Sequence, residues 1–418
     1  MKTNLLQAIK DTPEGREADK ILRTCVHCGF CTATCPTYQL LGDELDSPRG
    51  RIYLMKEMLE GNEVTSRTQL HLDRCLTCRS CETTCPSGVE YGRLVDIGRG
   101  IVEKHVPRSP VDAAERAVLG AVLPRPGLFG PLLKAGKLLR PLLPGKLRAK
   151  VPAGTPRDIG WPAPRHARRM LVLDGCVQPS LAPDINPAAA RVLDRLGISL
   201  VKAGQAGCCG AVTFHLNKQD DGRDYMRRLI DAWWPHLEAG VEAIVITASG
   251  CGAMVREYGH QLARDPQYAE KAARVSALSK DISEIVLAER DRLEELLLAP
   301  RPSPLAPASA AKPRVAFHSP CTLQHGLKIR GAVEPLLAAA GFELTAVPDA
   351  HLCCGSAGTY SILQPELSQR LLQNKVDALA SGQPEVVATA NIGCLTHLQS
   401  GTAIPVRHWI DLLDERLP

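Results

Sequence analysis

The chain has 418 residues, a formal net charge of +5, 44% residues of the AVILMFWYC set and 23% charged residues. That length exceeds one ordinary core and implies two or three domains. The balanced composition excludes wholesale disorder, and so mild a charge makes no case for nucleic acid. No apolar run approaches the roughly 20 residues a membrane span needs, and the opening MKTNLLQAIKDTPEG has early acids and no apolar signal core. The expected location is therefore cytoplasmic. Aromatic residues make up only 4% beside 34 glycines and 32 prolines, so small-residue packing and many turns are expected.

The chain contains sixteen cysteines. The cytosol keeps thiols reduced, which favours metal ligation over disulfides. They fall into four sets of four: 25, 28, 31, 35; 75, 78, 81, 85; 176, 208, 209, 251; and 321, 353, 354, 394. The second set is the first moved by 50 positions. The fourth is the third moved by 145, 145, 145 and 143 positions. The second half is therefore an internal duplication whose period exceeds that of solenoid repeats, so each copy is expected to be a small domain.

Residues 1–108 are predicted to be helical. Ile52, Met55 and Leu59 follow helical spacing in RGRIYLMKEMLEG, with a glycine beyond as a stop. Cys25-x2-Cys28-x2-Cys31-x3-Cys35-Pro36 and its copy Cys75-x2-Cys78-x2-Cys81-x3-Cys85-Pro86 match the two-cluster ferredoxin pattern. Three thiolates at two-residue intervals on a tight turn can serve three irons of one cubane, and the fourth points to the other cluster. The reading assigns Cys25, Cys28, Cys31 and Cys85 to one [4Fe-4S] centre, and Cys35, Cys75, Cys78 and Cys81 to the other. Gly29 permits close backbone approach in the first loop, where amide groups can bond cluster sulfurs. Arg79 takes its place in the second loop, so the two centres need not share a potential. Zinc also accepts four thiolates, but the doubled frame closed by proline points to iron–sulfur clusters. With every iron held by protein, the module carries electrons and no catalytic residue is assigned.

Residues 109–167 are expected to form a basic, proline-rich linker. From Pro124 to Met170 there are nine prolines and eleven Lys or Arg against one acid, Asp158, a net charge of +10. LFGPLLKAGKLLRPLLPGKLRAK mixes leucines with spaced cations, which suits an anionic membrane surface or a partner groove as well as a solvated tether. Prolines 131, 141 and 144 exclude one long continuous helix.

Residues 168–299 and 314–418 are predicted to be two α/β repeats, separated by the Pro/Ala stretch Pro300–Pro313. The apolar runs 170–173, 243–246, 315–317 and 385–388 read as buried parallel strands. A helix over 222–239 puts Met226, Leu229, Ile230, Trp233, Trp234 and Leu237 on one face, and a further helical stretch runs over Ile282–Leu298. Strands alternating with helices imply an α/β layer architecture. Each repeat has a cysteine after its first strand (Cys176, Cys321), a Cys-Cys-Gly triplet after 31 intervening residues (Cys208-Cys209-Gly210, Cys353-Cys354-Gly355), and a last cysteine after a later strand (Cys251, Cys394). Loops beyond parallel strand ends converge on one edge, so each set of four thiols can meet. A cluster, zinc, or packed thiols without metal all suit such a set. His215, His325 and His351 are candidate ligands or proton carriers, with structural roles as the alternative.

The triplets resemble the cysteine-rich (CCG) domain of heterodisulfide reductases, whose last element is Cys-x-x-Cys. Here the extra position is Ala248 or Asn391, a departure that weighs against a carried-over disulfide-reducing enzyme. The wider run CVHCGFCTATCPTYQLLGDELDSPRGRIYL, with HLDRCLTCRSCETTCPSGV, GCCGAV, TASGCG, CTLQH, HLCCGSAGTY, TANIGC and VRHWI, resembles the iron–sulfur subunits of bacterial glycolate oxidase (glycolate dehydrogenase) over essentially the whole chain. Ser319 stands where relatives can carry cysteine. The resemblance implies an electron-transfer subunit of a non-NAD oxidoreductase. Flavin-bearing partner subunits would oxidise glycolate to glyoxylate, and electrons would pass towards a membrane quinone from a site peripheral to the inner face of the cytoplasmic membrane. It implies two [4Fe-4S] clusters, with one or two more clusters or zinc as options in the CCG repeats. Equivalent subunits of lactate or glycerol-3-phosphate oxidation are the alternative. The sequence carries no G-x-G-x-x-G fingerprint and no P-loop.

Overall fold

The computed structural model describes residues 1–140, 160–299 and 312–418. The N-terminal third is helical, as its apolar spacing predicts. Helices Pro13–Thr24, Pro48–Leu59 and Tyr91–His105 bury Ile21, Leu22, Ile52, Met55, Leu59, Leu94 and Val95 in one core. Their starts are written locally. Thr12 and Ser47 accept hydrogen bonds from the amides of Gly15 and Gly50, with Pro13 and Pro48 at the first helical positions. Gly98 lets Tyr91–His105 approach its neighbour, since a Cβ there would lie 2.5 Å from Met55 Sδ.

The first part of the predicted linker is helical. Helices Pro110–Val122 and Pro126–Leu138 follow the first module, and Pro131 lies inside the second. Arg108 and Arg116 tie this segment back through Asp73, at 2.7 and 3.2 Å, and Asp112. Prolines 141 and 144 and most of Pro300–Pro313 lie outside the described residues. No helix among the described residues is long and apolar enough to cross a membrane.

Two parallel four-stranded sheets follow. The first has strands β1 (Arg168–Val172), β2 (Ile198–Lys202), β3 (Ile244–Ile246) and β4 (Ser279–Asp281) in the order β2-β1-β3-β4. The second has β5 (Arg314–His318), β6 (Glu343–Leu344), β7 (Val386–Thr389) and β8 (Val406–His408) in the order β6-β5-β7-β8. The shared order and all-parallel pairing make them copies of one fold. The four apolar runs seen in sequence are the central strands of both sheets, which are covered on both faces and so read as continuous hydrophobic stretches. The flanking strands carry weaker signals: β6 is two residues long, and β4 and β8 include charged side chains. Helix Gln219–Glu238 covers the first sheet with Met226, Leu229, Ile230, Trp233 and Leu237 buried. Trp234 is half-buried beneath the cations of Lys271 and Arg274.

The repeats meet at equivalent places. The Ser249 amide donates to the Ala390 carbonyl at 3.2 Å, and His408 Nε2 donates to the Thr247 carbonyl at 2.9 Å. Thr247 and Ala390 each lie four residues before the last cysteine of their repeat. Val172, Leu193 and Ile282 of one copy share a single apolar core with Phe317, Leu336 and Trp409 of the other. Asp414 locks Arg195 across the same seam at 2.8 Å. The shared core makes a prediction. Leu193→Ala and Leu336→Ala, one in each repeat, should each lower the same unfolding transition by about 2–5 kcal/mol. Chemical denaturation followed by tryptophan fluorescence checks this, and separate transitions for the two repeats would contradict it.

Candidate metal centres

The two N-terminal cysteine loops repeat in backbone as well as in sequence. His27 and Gly29 in the first, and Thr77 and Arg79 in the second, all have left-handed φ, at 59°, 85°, 52° and 59°. Alternating left- and right-handed residues curl the chain and turn successive amides inward, forming an anion-binding nest. The Thr77 amide accordingly donates to Cys75 Sγ at 3.4 Å. Glycine suits position 29 on two counts. Its φ is strained for other residues, and a Cβ would meet Arg49 Nη1 at 2.6 Å. Arg79 accepts the same backbone and reaches out to Glu257 of the first repeat at 2.9 Å.

These loops enclose two adjoining cavities. One, of about 430 Å³, is lined by Cys25, Cys28, Cys31, Cys85 and Cys81. The other, of about 360 Å³, is lined by Cys35, Cys75, Cys78 and Cys81. Pro48, Cys81 and Tyr91 border both. The last cysteine of each run thus sits with the first three of the other. Burial pushes the Cys31 thiol up to about 11, and raises Cys25, Cys78 and Cys81 as well. Desolvated thiols brought together in this way become thiolates readily only against a metal. The donor set and the space therefore fit a thiolate-bound cluster in each cavity.

Side chains that sequence motifs do not mark hold the loops in place. Asp46 is fully buried and meets Arg51 at 3.2 Å, His71 Nδ1 at 3.1 Å and Arg74 at 2.9 Å. Arg51 also donates to the His71 carbonyl at 2.7 Å and to Thr37 Oγ1 at 3.1 Å, and Thr37 Oγ1 lies 3.3 Å from Cys35 Sγ. Arg99 donates to the carbonyls of Leu72 and Cys75 and to Thr77 Oγ1. The Tyr91 hydroxyl donates to Cys75 Sγ at 3.7 Å. A lone Asp or Arg in a helical stretch carries no signal of this kind before folding.

The two cavities face different surroundings. Around the first, Cys28 is exposed, and Val26 and Phe30 are 66% and 61% exposed. The second is backed by the second repeat, where Leu76 and Cys78 pack with Cys321, Cys353 and Tyr360. Tyr360 donates to the Arg74 carbonyl at 3.2 Å.

Within each repeat, the loops after the strands bring the four cysteines together. In the first, Cys208 is within hydrogen-bonding reach of Cys176 and Cys209, and Cys209 of Cys251. In the second, Cys321 and Cys353 lie 3.8 Å apart, with Cys354 next to Cys353 and Cys394. The glycine of each triplet donates its amide to the first cysteine of the pair, at 3.4 Å in both copies. Both glycines are left-handed, and a Cβ on either would lie 2.6 Å from a backbone carbonyl, of Gly222 or of Ser368.

The histidines singled out from sequence are placed differently from one another. His325 is structural: Nε2 donates to the His351 carbonyl at 2.9 Å, while Nδ1 accepts from Thr83 and Arg330. His215 Nδ1 lies 3.4 Å from Asp96, at the seam with the first module. His351 contributes its carbonyl to that bond. The buried His318 and Lys375 were not marked in sequence. His318 ends β5, three residues before Cys321, and that placement was the available signal.

Residues 21–89 match the model of the 4Fe-4S dicluster domain, and residues 170–256 and 315–399 each match that of the cysteine-rich domain, CCG. These define an iron–sulfur protein whose dicluster module serves electron transfer. The chain is 56% identical over 417 residues to the glycolate oxidase iron-sulfur subunit of Escherichia coli K12, covering 100% of this chain and 99% of the relative. It is 31% identical over 410 residues to the probable glycolate oxidase iron-sulfur subunit of Bacillus subtilis 168, covering 91% and 89%. A lactate utilization protein A of Geobacillus thermodenitrificans is 24% identical over 242 residues, covering 56% of this chain and 93% of the relative. The chain belongs to the family of glycolate oxidase iron–sulfur subunits.

Two outcomes test the scaffold. Arg51→Met removes the one fully buried cation from Asp46, along with its bonds to the His71 carbonyl and Thr37, and should destabilise the first module by about 3–5 kcal/mol, read as a lowered melting temperature under anaerobic conditions. Gly355→Ala should cost at least about 1 kcal/mol in backbone strain alone and shift the 353–355 turn, seen as altered thiol accessibility to an alkylating reagent. Gly341→Ala, also left-handed but with open space around its Cβ, should leave that accessibility unchanged.

Proposed function

We propose that this chain is the electron-relay subunit of a glycolate-oxidising complex and holds two [4Fe-4S] clusters, one on Cys25, Cys28, Cys31 and Cys85 and one on Cys35, Cys75, Cys78 and Cys81. The observation that carries this reading is the partition of eight thiols into two adjoining cavities, with the fourth cysteine of each run exchanged. When bound, such clusters take up and release single electrons. The chain supplies four thiolates to each, so no iron is left open to a substrate. Inward amides together with the Tyr91 hydroxyl offset the charge on the sulfurs.

Glycolate as the substrate rests on the two relatives that span nearly the whole chain; the lactate-linked relative matches little more than half of it. Flavin and glycolate sites belong on partner subunits. The exposed Val26 and Phe30 beside Cys28 suit the docking face of such a partner, while the second cavity leads inward to the cysteine-rich repeats. Helix Pro126–Leu138 exposes Leu128, Leu132 and Leu138 beside Lys134 and Lys137. That face suits an anionic membrane surface, where a quinone acceptor would be found, and places the complex peripherally on the cytoplasmic side.

Iron and acid-labile sulfide per chain test the cluster assignment. Cys25→Ala and Cys78→Ala should each lose about four irons relative to the unaltered protein. In the assembled complex each should abolish electron flow from glycolate to an artificial quinone. Full turnover with Cys78→Ala would overturn the relay.

A further inference from the structure

The cysteine-rich repeats are copies in topology and in cysteine placement, but the surroundings of their thiols differ. In the second repeat, a ring nitrogen of His318 and the sulfurs of Cys354 and Cys394 all lie within 4.8 Å of one another, and all three residues are buried. Neither ring nitrogen of His318 has a hydrogen-bond partner. A buried polar atom left unsatisfied costs about 1–3 kcal/mol, so an imidazole with two such atoms beside two thiols is placed for a ligand. Asn391 Nδ2 reaches Cys394 Sγ at 3.5 Å, and Cys321 and Cys353 continue the chain of thiols.

Lys375 adds a second, independent sign. It is 3% exposed, its ammonium donates to the Asp349 carbonyl at 2.7 Å, and no carboxylate forms an ion pair with it among the described residues. The groups that act on its charge are Cys354, Cys353, the Asp349 carboxylate and Cys321. A buried cation facing thiols is compensated when those thiols are thiolates, and buried thiolates are themselves stable on a metal.

The first repeat has neither feature. Leu173, three residues before Cys176, stands where His318 precedes Cys321. Gly210 approaches the Gly222 carbonyl as Gly355 approaches that of Ser368, and seven residues further along the same helices stand Leu229 and Lys375. Both leucines are buried. No trio of potential ligands in the first repeat comes as close together among the described residues.

We propose that the second cysteine-rich repeat holds a thiophilic metal centre of mixed nitrogen and sulfur coordination, with His318 as a ligand beside Cys354 and Cys394 and Lys375 as the fixed counter-charge. Imidazole with thiolates suits zinc and iron alike. In the first repeat, by contrast, leucines stand at both of these positions. The inference stands apart from the identity of the oxidised substrate and from the N-terminal clusters.

The test uses the full chain, isolated anaerobically with natural and with 15N-labelled histidine. Metal content is measured by mass spectrometry, iron centres by pulsed EPR after reduction, and zinc by X-ray absorption. The unaltered protein should show a histidine nitrogen coupled to iron or bound to zinc. His318→Leu should lose one centre, read as about one zinc or about four irons, with the EPR signals of the N-terminal module unchanged. His318→Cys should keep the metal and lose the nitrogen signature, and Lys375→Met should lower occupancy. Zinc or iron each supports the proposal and names the metal. Unchanged metal content in a folded His318→Leu variant would overturn it. If that variant does not fold, a nitrogen signature persisting in His318→Cys, or its absence from the unaltered protein, would do the same.

Discussion

Neither N-terminal loop can complete its own set of four thiols. Cys85 sits with the first loop and Cys35 with the second, so each cavity exists only once segments about 50 residues apart have met. Everything between Cys35 and Cys75 is held inside that exchange, including helix Pro48–Leu59 and the buried Asp46 group. Clusters held as proposed would make metal binding and folding of this module one process, as in other small metal-stabilised folds. The helices supply a core around the loops, and the loops in turn fix how the helices are joined.

The same economy governs the join to the rest of the molecule. Arg79 occupies a left-handed position that glycine fills in the first loop, and its side chain is anchored on Glu257. Leu76 and Cys78 pack on Cys321, Cys353 and Tyr360. The second cavity is thus lined by the N-terminal module and backed by a second domain. Two cavities of nearly the same lining acquire different environments from what is packed behind them. Environment of this kind, through burial and hydrogen bonds to sulfur, is what separates the potentials of otherwise similar clusters.

Much of this was legible before folding because cysteine spacing is a local code. The runs ending in Cys35-Pro36 and Cys85-Pro86, the 145-residue duplication and the central strands of both sheets all lie in short contiguous stretches. Long-range features were not. Asp46, Arg51 and Arg99 are ordinary residues of polar stretches until the chain brings carbonyls and partner charges around them. β6, at two residues, is too short to show a period. The helices within the basic segment were obscured by its prolines, although Pro110 and Pro126 sit at helix starts, where the missing amide donor costs nothing. His325 looked like a ligand and is a fully bonded strut, whereas His318, at the end of a hydrophobic strand, looked like part of the core.

The exposure of Cys28 has a consequence for how the protein ages. Small oxidants and chelators arriving from solvent meet the first set of thiols at the surface, while the second set is shielded by an entire domain. Damage in air should therefore be ordered, reaching the outer set before the inner one. Preparations that have lost half of their N-terminal iron would be a defined stage of wear, and docking of a partner over Val26 and Phe30 would be protection as well as contact.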